Sequence, residues 1–196
     1  MLILKFGGTS VGSAENIRKV ADIIVQRSAE DDVVVVVSAV GGVTNKLEKS
    51  SQLAASGDGA YEGVLSDIEK SHLSIIRTLI PTQHQSSLIG QVKWLQNELE
   101  DVSKGVFLLR EITPKSKDFI LSFGERVSSL IVQTFLKERI KDVRLLNPLQ
   151  WIRCDDSYGN GVVKMSESLT LVAENSAELS KINIMPGFMA ASTQDE

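Results

Sequence analysis

Apolar positions in this chain recur at two periods, and the changes from one to the other mark out its elements. Leu2, Ile3, Leu4 and Phe6 form a short apolar run ended by Gly7-Gly8. That pattern predicts a strand buried on both faces. After Ser13, a residue suited to an N-cap, Ile17, Val20, Ala21 and Ile24 recur at helical spacing, which predicts a helix to about Arg27. Asp31-Asp32 mark a turn before the unbroken run Val33-Val34-Val35-Val36-Val37, read as a central, doubly buried strand. Strand, helix and strand in so short a span make a βαβ unit with a right-handed crossover.

Ser38-Ala39-Val40-Gly41-Gly42-Val43-Thr44-Asn45 follows as a second glycine-containing loop. Thr44 or Asn45 is placed to cap the next helix. Beyond the Ser56–Gly59 loop, Leu65, Ile68, Ile75, Ile76 and Leu79 give a helical stripe that stops at Pro81. Leu88, Val92, Leu95, Leu99 and Val102 give a second, at the alternating spacing of a helix-pair seam. The two predict an αα-hairpin packed over the sheet. Pro114 opens a helix over about Lys115–Arg139, with Phe119, Phe123, Val127, Leu130 and Phe135 on its buried side. Ser122, Glu125 and Ser129 fall on another face, and Gly124 in mid-helix calls for a close approach to justify its cost of about 1 kcal/mol. Val143–Leu146 reads as a strand. Ile152–Cys154 and Val162-Val163 flank a Gly-rich hairpin tip, a helix spans about Glu167–Leu179, and Ile182–Ala190 is a last strand bent at Pro186-Gly187.

Composition narrows the class. The chain has 196 residues, 42% of them hydrophobic and 23% charged, enough to bury a core. A net charge of -4 argues against nucleic acid or an anionic membrane as the main partner. The single cysteine, Cys154, rules out an internal disulfide and fits a reducing, cytoplasmic compartment. No leader or membrane-length apolar run is read. His72 and His84 lack partners at ligand spacing and are taken as ordinary helix and loop residues, and Asp155-Asp156 as solvent-facing acids, so no metal ligand is assigned.

The chemistry gathers at the first loop. A strand, a glycine turn and a helix N-terminus aim N–H groups and a positive dipole end at one point, which favours an anion. Lys5, at the end of the strand, adds a charge. Gly7-Gly8-Thr9-Ser10-Val11-Gly12 fails the dinucleotide fingerprint. It fails the P-loop pattern too, because the lysine precedes the glycines. Both loops follow parallel strands and open on the same crevice, where ligands of open α/β sheets gather. On residue type alone, Ser38 and Thr44 serve equally as turn and capping residues, and Glu125-Arg126 as a solvated pair.

Lys5-Phe6-Gly7-Gly8-Thr9-Ser10 closely resembles the opening signature of the aspartokinases. Ser38-Ala39 with Gly42-Val43-Thr44-Asn45 resembles that family's second loop, and Phe123-Gly124-Glu125-Arg126-Val127-Ser128-Ser129 its third element. All three stand in the family's order, and the likeness covers the whole chain, with a lean toward the branch fused to homoserine dehydrogenase. The resemblance implies the amino-acid kinase fold, a largely parallel sheet between helix layers. It implies phosphorylation of the side-chain carboxylate of L-aspartate, with ATP and magnesium as cofactors. It puts Lys5, Phe6, Gly7, Gly8, Thr9 and Ser10 at the ATP phosphates and Ser38, Thr44 and Glu125 around aspartate, with Lys5 as the catalytic residue. No general base is then needed, because the attacking carboxylate is already ionised.

Family members continue past this point with an arginine-bearing Gly-rich loop, a nucleotide-base half and regulatory modules. Residues 1–196 are therefore expected to be the N-terminal portion of the catalytic domain, a fragment inactive alone. Its last strand is expected to be left as an unpaired edge. The resemblance implies a homo-oligomeric full-length protein. Another amino-acid kinase, and a non-catalytic ligand-binding domain, are the competing readings.

Overall fold

The computed structural model describes residues 1–193. Its centre is a parallel four-stranded sheet, made of β1 (Leu2–Phe6), β2 (Val33–Val37), β3 (Val143–Leu145) and β4 (Ile182–Pro186), in the order β1-β2-β4-β3. Six α-helices accompany it: α1 (Ala14–Ser28), α2 (Val43–Ala55), α3 (Tyr61–Leu79), α4 (Thr82–Leu109), α5 (Pro114–Lys137) and α6 (Met165–Asn175). The α/β class and the parallel sheet are as the sequence predicts.

One sheet face carries the core. Val33, Val35, Val37, Ile182 and Ile184 are fully or almost fully buried there, against α1 and α5. Local chemistry fixes both helices. Ser13 caps α1 by accepting from the N–H of Asn16 at 3.2 Å, and Thr113 caps α5 by accepting from Ser116 at 3.1 Å, with Pro114 as the first helical residue. By length and composition α5 could cross a membrane, a run the sequence reading had passed over. Here Ile120, Phe123, Val127, Ile131 and Val132 are all buried in the interior, whereas Phe119, read on the buried side, is 37% exposed.

Four expectations need correction. First, β1 is an edge strand, not a doubly buried one. Ile3 is 68% exposed and Lys5 is exposed, while Leu2, Leu4 and Phe6 are half-buried. Second, β2 alternates, with Val34 and Val36 half-buried, because no helix layer covers that part of the second face. Third, α3 and α4 do form an antiparallel pair, with Tyr61 stacked on Phe107 at 5.3 Å, but they pack on α1, α2 and α5 and not over the sheet. Fourth, the last strand is no edge, since β4 lies between β2 and β3 with all five residues buried. It ends at Pro186, short of Ala190, because Phe188 turns into the left-handed region at φ 67°. The α6 helix also begins and ends earlier than read, giving way to a 3-10 turn over Ser176–Glu178.

Candidate functional site

Three strand ends lie level along one edge of the sheet. Phe6, Val37 and Pro186 are register partners. The chain leaving each is tied to its neighbour: the Ser38 N–H donates to the Phe6 carbonyl at 3.1 Å, and the Gly187 N–H to the Val37 carbonyl at 2.9 Å. The β1–α1 loop and the β2–α2 loop then touch backbone to backbone. A Cβ on Gly8 would stand 2.9 Å from the Ala39 carbonyl oxygen, so only glycine allows the contact. A Cβ on Gly7 would meet nothing within 4 Å. Gly8 thus serves packing, while Gly7 leaves space above the loop open.

Lys5 is exposed and has no acidic partner among the described residues. The Phe6 ring packs against the core, and its carbonyl accepts from the Ser38 N–H at the start of the second loop. Thr9 and Ser10 form the turn: Ser10 N–H donates to Gly7 at 2.9 Å, and the Asn16 amide holds the Thr9 carbonyl at 2.9 Å. Two helix N-termini open here. α1 is capped by Ser13. α2 begins at Val43, with Gly42 at the N-cap position and no side-chain cap, so Thr44 and Asn45 sit inside its first turn and do not cap it. Thr44 is exposed at that turn.

Glu125 reaches the second loop from α5. Gly124 explains how: a Cβ there would lie 2.6 Å from the Ala39 Cβ, so helix and loop can approach only without it. Glu125 is 8% exposed, which removes the solvated-pair reading. Burial pushes its carboxyl above the usual range, and the backbone N–H groups of Ala39 and of Glu125 itself pull it back toward the charged form. Among the described residues no cation pairs with it. Its neighbour Arg126 is engaged elsewhere, by Glu98 at 2.7 Å.

The sequence reading gave no role to two residues at this edge. Ser128 donates to the Ser38 carbonyl at 2.7 Å. Phe188 is 60% exposed just past β4, in a backbone conformation that costs a bulky residue about 1–3 kcal/mol. No residue type signals a left-handed phenylalanine.

A cavity of about 1140 Å³ lies beside this site. It runs between α5, the hairpin around Tyr158 and the segment after β4, and its lining omits Lys5, Ser38, Thr44 and Glu125. Of its basic residues, Arg126 pairs with Glu98 and Lys115 lies over the Tyr158 ring. The hairpin is self-organised. Asp155 accepts from the N–H groups of Ser157 and Val162, and Asp156 from that of Thr193, so these acids are structural rather than simply solvated. Among the described residues no group of three or more His, Cys, Asp and Glu side chains could hold a metal ion.

A level row of parallel strand ends, two glycine loops, an exposed lysine and a buried carboxylate thus meet at one end of the sheet. The chain belongs to the amino acid kinase family, whose model matches residues 1–196. Its relatives within that family are aspartokinases. It is 31% identical over 193 residues to the aspartokinase of Chlamydia trachomatis, covering 98% of this chain and 41% of that protein. It is 29% identical over 194 residues to the bifunctional aspartokinase/homoserine dehydrogenase of Buchnera aphidicola, covering 97% of this chain and 24% of that one. Escherichia coli aspartokinase III, solved with aspartate and ADP, shares the fold at a TM-score of 0.85 and 22% identity, over 99% of this chain and 42% of that one. The chain thus spans well under half the length of these relatives.

Proposed function

We propose that this chain carries the phosphate-loop and amino-acid-binding part of an aspartokinase. The reaction is transfer of the γ-phosphoryl group of ATP to the side-chain carboxylate of L-aspartate, giving 4-phospho-L-aspartate. It is the first step toward lysine, threonine and methionine. The observation that carries the reading is Glu125, a buried carboxylate supplied with N–H donors but, among the described residues, with no cation. A buried carboxylate without a counter-charge is costly. A substrate ammonium would supply that charge and select an amino acid over a plain diacid.

The other residues fit the donor. Lys5, the open space over Gly7 and the α1 N-terminus suit a polyphosphate. ATP, when bound, supplies the phosphoryl group and brings magnesium on its phosphates. Lys5 would neutralise charge on the transferring group, the Thr9-Ser10 turn would hold the loop in place, and Ser38 and Thr44 would orient aspartate beside Glu125. Lys5 is one cation, and phosphoryl transfer draws on several preorganised donors, each worth roughly 10²–10³ in rate. We therefore infer that these 196 residues alone do not turn over at enzymatic rates.

The test is steady-state kinetics on the complete polypeptide that contains this chain. Glu125→Gln should raise the KM for aspartate about tenfold or more and leave that for ATP within about twofold, while Lys5→Ala should lower kcat by about a hundredfold. Equal effects of Glu125→Gln on both substrates would overturn the reading.

A further inference from the structure

Buried serines on these helices mostly bond their own backbone. Ser50, Ser51, Ser122 and Ser129 each donate to a carbonyl three or four residues earlier on the same helix. Ser128 departs from this habit. It is fully buried, and its shorter contact, at 2.7 Å, crosses to the carbonyl of Ser38 in the second loop. The carbonyl of Glu125, one turn back on its own helix, is farther, at 3.2 Å. The residue after Ser38 is Ala39, whose N–H faces the Glu125 carboxylate. Ala39 also fills the space that Gly124 leaves. Helix and loop are therefore joined by one hydrogen bond and one tight fit, on either side of Glu125 in the α5 sequence.

We propose that Ser128 is a positioning residue for the amino-acid substrate. By tying the Ser38 carbonyl to α5, it holds the Ala39 amide on the Glu125 carboxylate and so fixes where a substrate ammonium binds. The proposal rests on the reading of Glu125 given above. Without the hydroxyl, the Ser38 carbonyl loses a buried donor, and the peptide that follows it is free to rotate away from Glu125. Glu125 would then keep its burial but lose a donor that favours its charged form, so it would need a higher pH to ionise.

The experiment uses the complete polypeptide, with aspartate and ATP varied in turn over about pH 5.5 to 9 and a thermal melt of each variant. Ser128→Ala should raise the KM for aspartate by about tenfold with that for ATP unchanged. The acidic limb of kcat/KM for aspartate should move to higher pH, and Ser128→Cys, which keeps a weak donor, should recover part of both effects. A structural role alone would move neither the substrate selectivity nor the pH limb.

A second pair of variants stands if Ser128→Ala fails to fold. Gly124→Ala should weaken aspartate binding by pushing Ala39 away. Adding Ala39→Gly should restore it, because the nearest remaining atoms, Val43 Cγ1 at 3.3 Å and Ala39 Cα at 3.6 Å, can be accommodated. Equal changes in both KM values for Ser128→Ala, an unmoved acidic limb, or a double variant as impaired as Gly124→Ala would each overturn the proposal. An aspartate effect of Glu125→Gln with Ser128→Ala silent sinks this proposal alone. A silent Glu125→Gln sinks the functional reading itself.

Discussion

His72 sits fully buried on α3 with both ring nitrogens lacking a hydrogen-bond partner, its ring edge-on to Phe123 at 5.8 Å. Burial, helped by the positive charge of Lys46, pushes its pKa down to about 4. Below pH 6.5 the unfolded chain binds a proton that the folded chain refuses until about pH 4. Stability present above pH 6.5 is therefore lost as the pH falls toward 4, by about 3 kcal/mol in all. Urea unfolding at neutral and mildly acidic pH should show that loss. His72→Leu should flatten the fall by a similar amount, and parallel pH profiles for the two proteins would rule His72 out as the cause. The spacing of α3 put His72 on a helix, but only the packing of α2, α4 and α5 around it made it a core residue.

At the scale of elements, the site is a contact between two loops and a helix. Gly8 is the closest point. Its missing Cβ would meet a backbone oxygen, which cannot swing aside as a flexible side chain would. Gly8→Ala should thus separate the loops and destabilise the fold by about 1–3 kcal/mol. Gly7→Ala, with open space above it, should leave stability within about 0.5 kcal/mol while still weakening nucleotide binding. Chemical denaturation alongside nucleotide titration separates the two. Equal destabilisation by both substitutions would show that the loop contact is not what requires glycine.

Across the whole molecule, the sheet is covered unevenly. α1 and α5 close one face. On the other, Met185 meets Leu146 and Trp151 in a small cluster, while Ile3 and Lys5 face solvent. Among the described residues the edges are β1, five residues long, and β3, three. An apolar edge with unpaired N–H and C=O groups invites pairing with another chain. The 196-residue chain should accordingly self-associate through β1, and Ile3→Lys should reduce its apparent mass in light scattering. An unchanged mass distribution would place the association elsewhere.

Local pattern settled the elements because their periods are properties of short stretches. The valine run could only be a strand, Ser13 and Pro114 announced α1 and α5, and Lys5 with its glycines suggested an anion site before any packing was known. What touches what was settled by the fold. The valine run does not say that β1 would be its only neighbour on one side, nor that β4 would return between β2 and β3. Nor could Glu125 be distinguished from a solvated acid. Its burial depends on Ala39, 86 residues earlier in number, meeting the gap at Gly124, and on Ser128 reaching Ser38 across the same gap. Sequence periodicity encodes which face of an element is apolar. The partner for that face, and the electrostatics of a group caught between two elements, exist only once chain segments far apart in sequence have met.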